Sequence, residues 1–536
     1  MNRPTMSLLA AGAALAVVTG IASLGSGADG SAAAGRTASA PVERSSLVCP
    51  PAAFGATSAT TVYTAFTPPA EGAAGDRLPG SAALRPVAEH TPGSAREDDE
   101  ESEDPEDQDT DEEDTEEEDT EDEEDTEEGQ EEDPDHVVPL EELGSPVSVS
   151  TKDTGAPALA GTAEHRFAPG WNVQQTTLVP RGDGRGLLGT GCTAPDSEFW
   201  FAGASTVDSR HDYLHLTNPD DAATVVDIEL YGPEGRLESL NDGEGITLPG
   251  ESTVPVRLST LTEEPETNLA VRVMARTGRI GAQVEATDEQ LGTDWLDPAA
   301  APSAHEGPLV LPGIPADAET VRLVALAPGD EDVNLAIGLA GPGGTITPAG
   351  NESLYLQAGI LHSVDLGDLT LGEAGSLVLT PPVDAGPVPL VAGLRVTRGQ
   401  GDEQEMAFIP ATAPVEERAG VTGNTVKGTE LFLTAPDEAA EVRVTVSAGT
   451  EGGQEVTGTY TVEARTTLAL SPELDDDTEG LYALTVERTG GGVLHAARML
   501  SRTRDDVPMF TIQTLPDDRS AVTVPETGQD FSLLVR

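Results

Sequence analysis

The stretch LHLTNPDDAATVVDIEL at 214–230 recurs twice, as LVALAPGDEDVNLAIGL at 323–339 and as LFLTAPDEAAEVRVTV at 431–446. Each copy is an apolar strand, a proline followed by Asp or Gly and acidic residues, a second strand and then a glycine. Proline presets φ for a turn, and Asp or Gly suits the positions after it. Val442, Val444 and Val446 alternate with Glu441, Arg443 and Thr445, a period of two that buries one face of a strand. The marking prolines Pro219, Pro328 and Pro436 lie 109 and 108 residues apart, which sets a repeat period. Each period also closes alike: 269–278, 391–399 and 481–490 are alternating runs that end in an Arg and a Gly.

A period of about 108 residues, filled with short strands and turns, predicts an all-β chain of tandem immunoglobulin-like β-sandwich domains. The boundaries follow the period: 198–300, 308–415 and 425–536, with Pro-, Ala-, Gly- and acid-rich linkers at 297–307 and 411–424. Upstream, 41–67 and 166–197 read as a smaller N-terminal β unit. It is interrupted by a disordered insertion over 68–165, whose centre, 97–133, holds 28 acidic residues in 37 positions. Such a block repels itself and cannot bury enough apolar surface to fold.

The formal net charge of −66 would repel phosphates, so nucleic acid is excluded as a partner. Residues 1–40 have a leader's layout. A short cationic start at Met1–Pro4 is followed by the uncharged run Ser7–Leu24 and a small-residue exit with a candidate cleavage site at Ala32–Ala34. This predicts a signal peptide, or a single N-terminal membrane anchor if it is not cut, and a body secreted or held on the outer face of the membrane. The only two cysteines, Cys49 and Cys192, bracket the insertion. In an oxidising compartment they are expected to pair as a structural disulfide.

No catalytic constellation emerges. There is no G-x-S-x-G, P-loop or dinucleotide fingerprint, and Gly182, Gly184 and Gly186 lack a following helix. His211 and His215 share a strand face, but no third ligand accompanies them. The run 475–480 (DDDTEG) lies between two strand patterns and reads as a loop; no calcium-loop spacing occurs, so cation association with the acidic tract would be diffuse. The aromatic cluster Phe199, Trp200 and Phe201 supplies candidate ligand contacts as a sugar-stacking platform, or else fills the first repeat's core. No catalytic residue, metal ligand or cofactor is assigned.

The N-terminal apolar run, Ser46–Pro50, Gly191-Cys192, Phe199–Gly203, Leu216–Pro219 and Gly292–Trp295 together resemble an uncharacterised family of secreted or membrane-anchored proteins from high-GC Gram-positive bacteria, described only as a domain of unknown function. The resemblance implies location and architecture, and carries no activity. The expectation is therefore an exported cell-envelope protein with a structural or binding, non-enzymatic role toward an envelope protein or glycan. The alternative is an accessory factor for envelope glycan or peptidoglycan enzymes.

Overall fold

Twenty-eight strands fall into four sets of seven, all wired alike. The structure is a computed structural model that describes residues 37–53, 55–69, 79–90, 137–182, 184–238, 240, 243–302, 307–383 and 388–525. The expected leader up to residue 36 and the acidic tract 97–133 lie outside the described residues. The last residues assigned to the leader's exit, from Thr37, instead begin a strand, Thr37–Pro41, which pairs antiparallel with Ala521–Pro525. That ribbon is a unit apart from residues 42–520.

Within 42–520 the second set shows the pattern. Its strands are Glu198–Ala204, Arg210–Asn218, Thr224–Gly232, Ser252–Arg257, Leu269–Ala275, Gly281–Asp288 and Gly292–Leu296. Strands one, five and three, in that spatial order, form one antiparallel sheet; four, two, six and seven form the other. Alternation drives this: Thr224–Gly232 buries every second residue. Ile228 and Leu230 thereby meet Leu214, Leu216 and Val284 of the facing sheet in one core. The third set runs Leu309–Ile314, Thr320–Leu326, Val333–Gly341, His362–Gly367, Gly375–Thr380, Val391–Arg398 and Glu405–Pro410. The fourth runs Arg418–Thr425, Thr429–Ala435, Ala440–Val446, Thr466–Leu470, Leu481–Gly491, His495–Arg504 and Val507–Leu515. Both repeat the order one-five-three and four-two-six-seven.

The first set is the same sandwich again: Arg44–Cys49, Thr60–Phe66, Ala82–Pro86, Val147–Thr151, Leu159–Glu164, Asn172–Val179 and Gly186–Gly191. This corrects two expectations. The N-terminal unit is not a small fragment but a fourth copy. The stretch 68–165 is also not one disordered insertion, since strands three, four and five of that copy lie inside it. Short apolar positions spaced through Pro- and Ser-rich sequence do the work: Leu84, Val138, Leu140 and Leu159 are buried in its core. Pro68 follows the second strand as Pro219, Pro328 and Pro436 follow theirs. The acidic tract falls in sequence between strands three and four, where the other copies carry short strands that extend strand three.

Two further corrections concern repeats two to four. The last sandwich begins at Arg418, inside the expected linker, because a bulge between Val421 and Asn424 lets the glycine-rich run 420–424 remain in the sheet. The two-layer antiparallel sandwich is present, yet the strand order is not that of an immunoglobulin domain. There, strands one and two are neighbours in one sheet; here they lie in opposite sheets.

The sandwiches are not beads on a string. The first packs on the second through Leu188 against Trp295. The second meets the third through Trp200 against Val324 and Leu326, and Phe432, Phe510 and Ile512 of the fourth enter the core of the third. The fourth returns to the first, where Leu500 and Met509 pack on Leu187. Four sandwiches thus close a ring, and the four seventh strands succeed one another around its centre.

Candidate functional site

At the centre the seventh strands bring polar residues together. Gly186–Gly191 reads GLLGTG and Gly292–Leu296 reads GTDWL, so small residues let the backbones approach. A Cβ on Gly189 would lie 2.2 Å from Gln513 Nε2 and 2.6 Å from Thr511 Cγ2. Backbone bonds link neighbouring copies: Thr293 N–H donates to Arg185 O at 2.9 Å, and Met406 N–H to Leu291 O at 3.1 Å.

Asp294 sits in the middle, 1% exposed. Its Oδ1 accepts from Gly189 N–H at 3.3 Å and from Thr511 Oγ1–H at 3.0 Å. Its Oδ2 has no hydrogen-bond partner among the described residues. Burial holds this carboxyl well above the usual carboxylate range, against those hydrogen bonds. One face over, Asp297 accepts from Thr190 Oγ1–H at 2.6 Å, and burial raises it to about 7. Glu405, fully buried at the start of the third copy's seventh strand, pairs with Arg185 at 3.2 Å and is still pushed up to about 8 by burial. Arg185 Nη2 also donates to the carbonyls of Gln404, Gln290 and Asp402 at 2.7–3.1 Å, tying three copies together. Chemically the centre is a largely buried polar hub in which burial favours the neutral form of the carboxyls and the hydrogen bonds run between copies.

The residues singled out in the sequence fall as follows. Cys49 and Cys192 form a disulfide with Cα atoms 4.4 Å apart, joining the end of the first sandwich's first strand to the residue after its seventh. Phe199 and Phe201 fill the second sandwich's core. Trp200 points the other way, into the interface with the third sandwich. It is 3% exposed, its Nε1–H donates to Glu198, and the Arg272 guanidinium covers its ring at 5.2 Å. The cluster therefore offers no open platform for a sugar, because both faces of its strand are covered by protein. His211 and His215 part company. His215 is buried against Trp295, and burial pulls it down to about 3. His211 is half exposed, with Nδ1 2.9 Å from Arg257 Nη2. Residues 475–480 lead from Thr466–Leu470 to Leu481–Gly491, strands of opposite sheets. Among the described residues no three His, Cys, Asp or Glu side chains gather as metal ligands, and no helix is long and apolar enough to cross a membrane.

The sequence alone does not reveal the polar hub. Asp294 stands out only within Gly292–Trp295; the one local signal is an acid directly followed by Trp295 and Leu296 in a short run where an ordinary buried strand would carry an apolar residue.

A family described as a family of unknown function, DUF5719, matches residues 147–473. The match starts at the first sandwich's fourth strand, just past the acidic tract, and runs through the fourth strand of the last sandwich. Neither the curated proteins nor the solved structures contain a match to the chain. The matched span exceeds half of the chain, and the protein belongs to this family of unknown function, DUF5719.

Proposed function

We propose that this chain is exported and serves in the cell envelope as a non-catalytic structural or binding body. The observation that carries the reading is the Cys49–Cys192 disulfide, which closes a loop of 143 residues around the acidic tract. Such bonds persist in oxidising compartments and are rare in a reducing cytosol. The leader-like layout of 1–40 points the same way. The interlocked ring supports a scaffold. Its central acids take their hydrogen bonds from other copies of the sandwich, so they fix the copies against one another and are not poised over a cleft.

Cell fractionation of the tagged full chain tests this, with thiol labelling before and after reduction. The expected result is recovery from the envelope or medium with no thiol that reacts until reductant is added. Recovery in the cytosol with two reactive thiols would overturn the reading. Cross-linking in intact cells separates its two forms. Repeated capture of one glycan or peptidoglycan enzyme makes the chain an accessory factor; capture of wall polymer makes it a structural binder.

A further inference from the structure

Between the second and third sandwiches lies a cavity of about 400 Å³, into which three arginines face. Two of them, Arg322 and Arg395, stand directly opposite each other on neighbouring strands. Like charges so placed destabilise a sheet. Arg322 is compensated by Asp365, its direct neighbour on the other side, at 2.5 Å. Arg210 is held by both oxygens of Asp212, at 3.1 and 2.9 Å. The other carboxylate lining the cavity, Asp288, accepts from the backbone N–H groups of Gln290 and Leu291. Among the described residues Arg395 alone of the three is not hydrogen-bonded to a carboxylate; burial, with Arg210 and Arg322 beside it, pulls it down to about 10 against the opposing charges of Asp288 and Asp365.

The next pair on the arginine ladder is Thr320 and Thr397, whose hydroxyls are 2.6 Å apart. Guanidinium forks backed by hydroxyls suit planar or tetrahedral oxyanions. We infer that this cavity is a binding site for an oxyanion group, phosphate or carboxylate, held by Arg395, with the Arg322 guanidinium opposite it and the Thr320 and Thr397 hydroxyls at its side. The site goes beyond the envelope role and does not depend on export.

The test is a titration of the full chain with inorganic phosphate and, separately, with glucuronate, at constant ionic strength against sodium chloride. Thermal denaturation and calorimetry provide the readouts. The expected result is saturable binding of at least one probe, with a rise in melting temperature that chloride does not produce. Arg395→Met should weaken that binding at least tenfold while melting no lower than the wild type without ligand, because it removes the opposed charges. Should Arg395→Met not fold, Arg395→Lys decides: it keeps the charge, loses the fork and should bind several-fold more weakly. Phosphate alone binding points to a phosphate-bearing ligand, and glucuronate alone to a carboxylate-bearing one. No saturable binding of either probe, or binding unchanged in the folded Arg395 variants, would overturn the proposal.

Discussion

Asp294 and Thr511, 217 residues apart in sequence, meet in a buried 3.0 Å hydrogen bond between the second and the fourth sandwich. The same Asp294 oxygen takes a bond from Gly189 of the first. One carboxyl thus joins three copies across the centre of the ring. Adjacent copies also share continuous apolar cores, and the polar centre adds direction to that packing: each donor is aimed from a different seventh strand.

Removing that acceptor should be costly. Asp294→Ala leaves Gly189 N–H and Thr511 Oγ1–H without it, at about 1–3 kcal/mol each. Asp294→Asn keeps an oxygen in place, and its cost should stay under about 1.5 kcal/mol. Urea unfolding of both variants checks this. Equal losses would mean that the acceptor plays no part.

Stability should fall as pH rises through neutrality. Glu405 titrates near 8 when folded and in the ordinary carboxylate range when unfolded. Between those values the folded chain keeps a proton that the unfolded chain has released. Stability is therefore greatest below the ordinary range and declines until about pH 8. His215, pulled down to about 3, acts in the opposite sense, but only up to its ordinary value near 6.5. Over pH 6.5–8 the Glu405 contribution stands alone of the two, at about 1–2 kcal/mol by linkage. Asp297, raised to about 7, and Asp294, raised well above its ordinary range, act in the same sense, so Glu405→Gln should make the fall of the urea midpoint over that window shallower; a slope identical to the wild type would contradict the assignment.

Reduction should loosen the first sandwich. A closed loop of 143 residues is worth roughly 5 kcal/mol in the chain-entropy account. Melting followed with and without reductant, together with Cys49→Ala/Cys192→Ala, should show a lowered transition in both cases. A double variant as stable as the oxidised chain would mean that the bond constrains nothing.

Arg498 offers a stabilising substitution. It is 0% exposed, and none of its three side-chain nitrogens has a hydrogen-bond partner among the described residues. Burial pulls it down to about 10. Replacing buried charge by an apolar side chain of similar reach is often neutral or stabilising by about 1–4 kcal/mol. Arg498→Met should raise the urea midpoint; a clear fall would contradict the view that this charge is uncompensated.

Three of the four sandwiches were legible in the sequence because their Pro-acidic corners recur at almost constant spacing, and a regular spacing survives divergence of the residues between. The first copy was hidden although Pro68 occupies the same corner. The acidic tract stretches its distance to Pro219 to 151 residues, which breaks the period. Its middle strands are also only five or six residues long, and Leu84 and Leu159 are diluted among Ala, Ser and Pro. The Cys49–Cys192 pair needed only a count of cysteines and a leader. Strand order was not legible, since alternation says which face is buried and not which strand lies beside it. Trp200 shows the limit of composition: an aromatic cluster marks a large buried area, but which of its rings face a neighbouring domain is fixed by contacts more than 90 residues away, with Val324 and Val391. The central hub and the arginine cavity arise only when copies separated by a hundred residues or more are brought together.

Closure of the ring is the central claim, and engineered disulfide formation between the first and last sandwiches tests it most directly. A Cβ on Gly420 of the fourth copy would lie 3.0 Å from Asn172 Nδ2 and 3.7 Å from Asn172 Cγ in the first, within reach of a disulfide. Asn172→Cys with Gly420→Cys should oxidise spontaneously, and peptide mapping should recover a 172–420 cross-link beside the native 49–192 bond. Two reactive thiols at 172 and 420 in the folded, oxidised chain would show that the first and fourth sandwiches do not meet, and the ring would be an open string.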